Sequence, residues 1–250
     1  MPAPDIQGKT WDDFLADFHQ EWEPGQHAAL IAPTGQGKTT VLVSLLGGRK
    51  FVLAFDPKGG DTTLAKTGFK RLGNWPPKSK DYDDMAAGKP VRYLIGPKVH
   101  TRDDRARLQA VQTATLKGAF DDGGWTVAID ELQVAADKMG HADDIETMLI
   151  AARDKKLSVV SLFQRPANVP RAAYEMASYI FLGLTLDVDT VNRLAEIVGR
   201  PKYEIRGAVE GLASHDYSWM VLPNNPRRPI ILTLPREPER TKIDTAARPR

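Results

Sequence analysis

Five short apolar runs, 27–31, 51–55, 91–95, 125–129 and 157–163, punctuate the chain, with polar and helix-like stretches between them. Runs that are apolar at nearly every position, rather than at alternate ones, mark strands buried on both faces. Strands alternating with helices predict an α/β fold, a mainly parallel central sheet with helices on both faces. Ahead of the first run, Trp11, Phe14, Leu15, Phe18 and Trp22 recur at i, i+3, i+4, i+7 and i+11, which predicts an amphipathic helix ending before Pro24-Gly25. Its aromatic stripe reads as a core face, with base stacking or docking on a neighbouring subunit as alternatives. Further on, 178–183 reads as a strand, Val188 to Val198 as a helix ending at Gly199, and Tyr217 to Leu222 with Pro229 to Leu234 as a closing strand pair. From Arg236 the apolar pattern fails, so 236–250 reads as a disordered basic tail. The expected organisation is an N-terminal helical segment, 1–26, packed on one α/β domain, 27–235, followed by that tail.

The first apolar run leads into Ala32-Pro-Thr-Gly-Gln-Gly-Lys-Thr-Thr40, and a second apolar stretch, Val41 to Leu46, follows it. Strand, glycine-rich loop and helix start in that order form a phosphate-cradling loop for a nucleoside triphosphate. Thr34, Gly35, Gln36 and Gly37 supply the loop, with backbone N–H groups turned inward. Lys38 reaches the β- and γ-phosphates, the Thr39 hydroxyl ligates Mg²⁺, and Thr40 completes the nucleotide-binding set at the helix start. Gly37 lets the backbone come close where a Cβ would intrude, and the helix presents the positive end of its dipole. Such loops usually begin with Gly; Ala32 stands here instead.

Two strand ends downstream carry the groups a hydrolytic site requires. Trp125-Thr-Val-Ala-Ile-Asp-Glu131 is an apolar strand ending in two carboxylates and reads as a Walker B element. Asp130 would hold Mg²⁺ through water, and Glu131 would orient and deprotonate the attacking water. An acidic pair capping a helix is the alternative. Leu157 to Phe163 ends in Gln164, whose amide can hydrogen-bond both the γ-phosphate and the lytic water, or can simply pack into the turn at Pro166.

Beyond spacing, the chain resembles FtsK/HerA-type ATPases. Phe51-Val-Leu-Ala-Phe-Asp-Pro-Lys-Gly-Gly60 is similar to their second strand and DPKG turn, and Ser161-Leu-Phe-Gln-Arg-Pro166 to the TQRP ending of their sensor strand. With the loop and the Asp130-Glu131 strand, four ordered motifs match over about residues 27 to 170. The resemblance implies a RecA-like P-loop NTPase core of the additional-strand, catalytic-Glu class, using ATP and Mg²⁺. It also implies a homo-oligomeric ring, usually a hexamer, that pumps double-stranded DNA. In such a ring a neighbour's arginine touches the γ-phosphate; Arg153, in the helix before the sensor strand, occupies that place, with Arg165 and Arg171 in reserve. Arg153 also fits a solvated charge favoured at a helix C-terminus. Leu162-Phe163, where the family often has Ala-Thr, is a second departure.

Composition adds limits. Cysteine is absent, so disulfides and Cys-based metal sites are excluded, and a cytoplasmic setting is expected. His19, His27, His100, His141 and His215 lack metal-ligand spacing and read as structural or surface residues. No run approaches the length of a membrane span and no leader pattern opens the chain, so a soluble protein without its own membrane segment is expected. The net charge of +2 is unevenly spread: 227–250 holds seven Lys or Arg and three Asp or Glu, or +4, leaving −2 elsewhere. Lys66 to Lys80 around Trp75, and Lys98 to Arg107, are candidate DNA-facing segments, or ordinary solvated faces. Nothing reads bases, so any duplex contact is expected to be independent of sequence. Two rivals are an assembly or secretion ATPase of the same fold acting on a protein, and a small-molecule P-loop kinase. The acidic pair at 130–131 argues against the kinase.

Overall fold

The computed structural model describes residues 6–60, 62–151, 153–166, 169–185, 187–213 and 218–234. The tail from Arg236, His215, and Tyr217 at the start of the expected closing pair lie outside these residues. Ten described strands form one sheet. In chain order they are β1 (Ile6–Thr10), β2 (His27–Ile31), β3 (Phe51–Phe55), β4 (Lys70–Leu72), β5 (Val91–Ile95), β6 (Thr126–Ile129), β7 (Ser158–Phe163), β8 (Ala177–Leu182), β9 (Trp219–Pro223) and β10 (Ile230–Leu234). Across the sheet the order is β1-β10-β9-β8-β2-β7-β6-β3-β5-β4. Every neighbouring pair is parallel except β8–β9 and β9–β10, so β9 alone runs against the rest.

Apolar residues at successive positions along β2 serve two separate cores. Ala28 and Leu30 point to one face of the sheet, Ala29 and Ile31 to the other, and β3 divides in the same way. The first face is covered by α1 (Trp11–Glu21), α2 (Lys38–Leu46) and the short α3 (Thr62–Ala65), which contribute Phe14, Phe18, Leu42, Leu45 and Leu64. On the second face lie α5 (Arg102–Asp122), which follows the short α4 (Ser79–Ala86), together with α6 (Ala142–Ala151), α7 (Ala172–Glu175), α8 (Val188–Ile197) and α9 (Lys202–Leu212). Each large apolar side chain buried there is worth about 1.5–3 kcal/mol. No described helix is long and apolar enough to cross a membrane.

The aromatic stripe of α1 is core. Phe14 and Phe18 are buried, and Trp22 caps the helix C-terminus with its N–H on the Phe18 carbonyl. Thr10 begins the helix, its hydroxyl accepting from the Asp13 N–H at 3.2 Å. Among the elements that sequence alone misses are β1, β4 and α9. Both missed strands lie at the sheet edges with exposed polar positions, so neither needs a continuous apolar run. Trp75, at the centre of the first basic segment, is partly buried, its indole packing on Gly118 and standing edge-on to Trp125 at 6.2 Å, while Lys66, Lys70, Lys78 and Lys80 around it are exposed.

His27 opens β2 and is buried, its Nδ1 accepting the Val159 N–H at 2.9 Å. Burial lowers its pKa to about 4, opposed by a hydrogen bond with the Leu149 backbone and reinforced by the charge of Arg153. An unfolded chain would protonate this imidazole near pH 6.5 while the folded one resists, so stability present above pH 6.5 is lost as pH falls toward 4. The shift corresponds to roughly 3 kcal/mol. Denaturant unfolding at pH 7 and 4.5 is expected to show a smaller loss for His27→Asn, which keeps an acceptor near Nδ1 but does not titrate, than for the unmodified chain. Equal losses would assign the acid sensitivity to other groups.

Candidate functional site

Three strands that are neighbours in the sheet but distant in sequence end side by side. β7 lies between β2 and β6, and all three are parallel, so their C-terminal ends share one edge. That edge carries Lys38 and its loop after β2, Gln164 after β7, and Asp130-Glu131 after β6.

The loop is held at its base from both sides. Ala32 donates its N–H to the Phe163 carbonyl at 3.3 Å, and Gly183 donates to the Ile31 carbonyl at 2.9 Å. Gly35 and Gly37 adopt φ of +88° and +75°, a region costly for any residue with a Cβ, and Gly37 immediately precedes α2. Ala32 is fully buried, and a Cβ on Gly183 would come within 2.7 Å of its methyl. The extra carbon at Ala32 is therefore accommodated because the facing residue has none.

At the start of α2, the Lys38 ammonium donates to the Ala32 and Pro33 carbonyls at 2.7 and 3.0 Å. Burial lowers its pKa; Asp130 and then Glu131 oppose this, and Lys58 adds to it. Thr39 Oγ1 donates to Asp130 Oδ2 at 3.2 Å, while Thr40 is exposed. Asp130 is buried and its N–H reaches the Phe55 carbonyl of β3 at 3.0 Å. Glu131 stands at φ +52°, left-handed for a residue with a side chain, its N–H on Asp130 Oδ1 at 3.0 Å and its carbonyl accepting from Val134 and Ala135. A π-helical turn, Val134–Lys138, begins there.

Lys58 is the site residue that sequence reading missed. It follows β3 in the DPKG turn, and its ammonium pairs with Glu131 Oε1 at 2.5 Å. Behind the turn a buried polar chain runs from the Asp56 carbonyl to Gln112 Nε2 at 3.3 Å, and from Gln112 Oε1 to His141 Nε2 at 3.3 Å. Gln164 is exposed at the end of β7.

Arg153 is not brought to this edge. Its carbonyl lies against Gly25, and its charge acts on His27, at the N-terminal ends of β2 and β7. A five-residue strand, roughly 16 Å, separates it from the Lys38 loop of its own chain. Arg165 directly follows Gln164 and acts on Asp187; Arg171 pairs with Glu175 at 2.5 Å. Of the two basic segments, Lys98, Arg102, Arg105 and Arg107 are exposed after the C-terminal end of β5. Arg71, in the other, turns back to donate to the Gly96 carbonyl at 2.9 Å. Among the described residues no cluster of His, Cys, Asp or Glu is built to hold a metal by itself.

The overall fold recurs in solved structures. The chain is similar to B204, the DNA-packaging ATPase from Sulfolobus turreted icosahedral virus, with TM-score 0.56 and 16% identity over 86% of this chain and 100% of that one. The chain shares the B204 fold. The genome-packaging NTPase B204 of Sulfolobus turreted icosahedral virus 2 gives TM-score 0.53 at 16% identity with AMPPCP, and 0.52 at 18% with ATPγS. Each of these matches covers 85% of this chain and 98% of the other. No protein-family model and no curated protein matches the chain. B204 is thus matched along almost its whole length, so the likeness is one of overall fold.

Proposed function

We propose that this chain is an ATP-hydrolysing motor of FtsK/HerA type that works as a homo-oligomeric ring, a hexamer, and translocates double-stranded DNA without reading its sequence. The observation that carries hydrolysis is the convergence of the Lys38 loop, Asp130-Glu131 and Gln164 on three adjacent strand ends, with Thr39 and Asp130 in hydrogen-bond contact. Support for DNA as cargo comes from the likeness in fold to B204, a DNA-packaging ATPase.

In this proposal Thr34, Gly35, Gln36 and Gly37 present backbone N–H groups to the phosphates, and Lys38 leaves its two loop carbonyls to neutralise the β- and γ-oxygens. The Thr39 hydroxyl and Asp130 carboxylate form a hard-oxygen pair at 3.2 Å, which suits Mg²⁺. When bound, that ion supplies neutralising charge to the phosphate oxygens. Glu131 accepts the proton of the attacking water, and Gln164, between the two other strand ends, orients the water and senses the γ-phosphate. Arg153, far from its own loop, would reach the γ-phosphate of a neighbouring subunit rather than its own, with Arg165 and Arg171, which follow β7, in reserve. The exposed cations from Lys98 to Arg107 would meet phosphates of the duplex.

The test is steady-state ATP turnover with and without long duplex DNA at low salt, run beside a native mass measurement. Turnover several-fold higher with duplex of any sequence, by an oligomer, is expected. Turnover indifferent to DNA would remove the DNA motor and favour the protein-directed ATPase of the same fold.

A further inference from the structure

We propose that Lys58 is a positioning residue for Glu131, a latch that keeps the glutamate carboxylate turned away from the reacting phosphate until the ion pair exchanges. The inference rests on the hydrolytic function proposed above. The pair joins side chains from neighbouring strand ends, since β3 and β6 are parallel partners and the Asp130 N–H reaches the last carbonyl of β3 at 3.0 Å.

Both backbones are fixed. Lys58 N–H donates to Asp56 Oδ1 at 3.0 Å and Gly59 N–H to the Asp56 carbonyl at 3.0 Å, closing the turn. Gly59 has φ +72°, and a Cβ there would come within 2.4 Å of the Val99 Cγ2. Glu131 is held by the bonds to Asp130, Val134 and Ala135 described above. What remains free is the two side chains, and the 2.5 Å contact points them at each other.

The pair is also built to break. Lys58 is 61% exposed and Glu131 30%, so water screens the attraction and another anion can replace the carboxylate at little cost. Lys38, Lys58, Asp130 and Glu131 together are neutral, and all three of the others act on the charge of Lys38, which places them in one field. A triphosphate adds several negative charges to that field and offers Lys58 a second anionic partner. While Glu131 holds the ammonium, one carboxylate oxygen is occupied and its direction is fixed; once released, it can accept the proton of the lytic water.

The experiment uses Lys58→Met, which keeps the stem and removes the charge, and Lys58→Arg, which restores a cation. Without DNA, Lys58→Met is expected to raise kcat for ATP threefold or more with KM within twofold, and Lys58→Arg to return kcat to the level of the unmodified chain. Amide exchange of the nucleotide-free protein around 131–135 is expected to be the same in all three proteins, because those amides are held by bonds that do not involve Lys58; faster exchange in Lys58→Met would overturn a latch confined to the side chains. A kcat at or below that of the unmodified chain, or failure of Arg to restore it, would overturn the latch. Lys38→Ala and Glu131→Gln run in parallel separate the two levels. If both keep full turnover, the hydrolytic site itself is wrong and the latch falls with it; if both are inactive while Lys58→Met is unchanged, the latch alone falls. An unaltered thermal midpoint for Lys58→Met, expected from its exposure, confirms that the fold is intact.

Discussion

Glu131→Gln is expected to lower ATP turnover by roughly a hundred- to ten-thousandfold, the usual range for a general base, while leaving nucleotide binding nearly unchanged. The substitution keeps size and shape, so the left-handed backbone at 131 and the hydrogen bonds to Val134 and Ala135 have no cause to move. An amide cannot accept the proton that the attacking water must lose. Its expected cost, roughly 3–5 kcal/mol in the barrier, is therefore confined to the chemical step. Losing the charge also frees Lys58, but that pair is exposed and weak. Phosphate release measured beside binding of a fluorescent ATP analogue checks both halves. Turnover above a tenth of normal would mean that another group takes the proton, and a parallel loss of binding would mean that Glu131 holds nucleotide instead.

The sheet was legible where strands are buried on both faces. At β2, β3 and β5 the apolar run and the strand coincide residue for residue, because a strand between two neighbours and under two helix layers buries nearly every position, with His27 in β2 and the half-buried Arg92 in β5 as the polar exceptions. Edge strands escape that constraint, which is why Ile6–Thr10, with a glycine and a half-buried lysine, and Lys70–Leu72, with exposed Lys70 and Arg71, carry no comparable signal. In α9 a signal was present: Ile205, Ala208, Val209 and Leu212 follow a helical period and are buried, but Gly207 and Gly211 dilute it. Motif reading located Lys38, Asp130 and Gln164 because each belongs to a short segment that directly follows an apolar strand. It could not find Lys58, because nothing local says that β3 and β6 are partners, and the contact joins residues 73 apart. Arg153 shows the same limit in reverse. Its place before β7 is plain in the sequence, but only the parallel topology reveals that the start of β7 is the end remote from the loop.

The same topology sets the price of damage beneath the loop. Phe181→Ala is expected to destabilise the fold by roughly 3–5 kcal/mol, the range for truncating a fully buried phenylalanine. Phe181 is wholly buried on β8, beside Leu30 of the loop-bearing strand, and meets Phe14 and Phe18 of α1 edge-to-face at 5.8 and 5.5 Å. Removing the ring opens a cavity between α1 and the sheet that neither can close, because β8 is pinned between β2 and β9. For a domain of this size the midpoint of thermal unfolding should fall by about 6–20 °C. Denaturant unfolding at constant m gives the free energy directly, with Trp11→Ala, a partly buried neighbour on α1, expected to cost clearly less. A loss below about 1 kcal/mol for Phe181→Ala would mean that α1 is not packed on this face. Molecules that remain folded should still hydrolyse ATP at the normal rate, since the loop is anchored by the Phe163 and Ile31 carbonyls rather than by the phenylalanine. That separation of stability from turnover is what distinguishes a core residue under the site from a residue of the site.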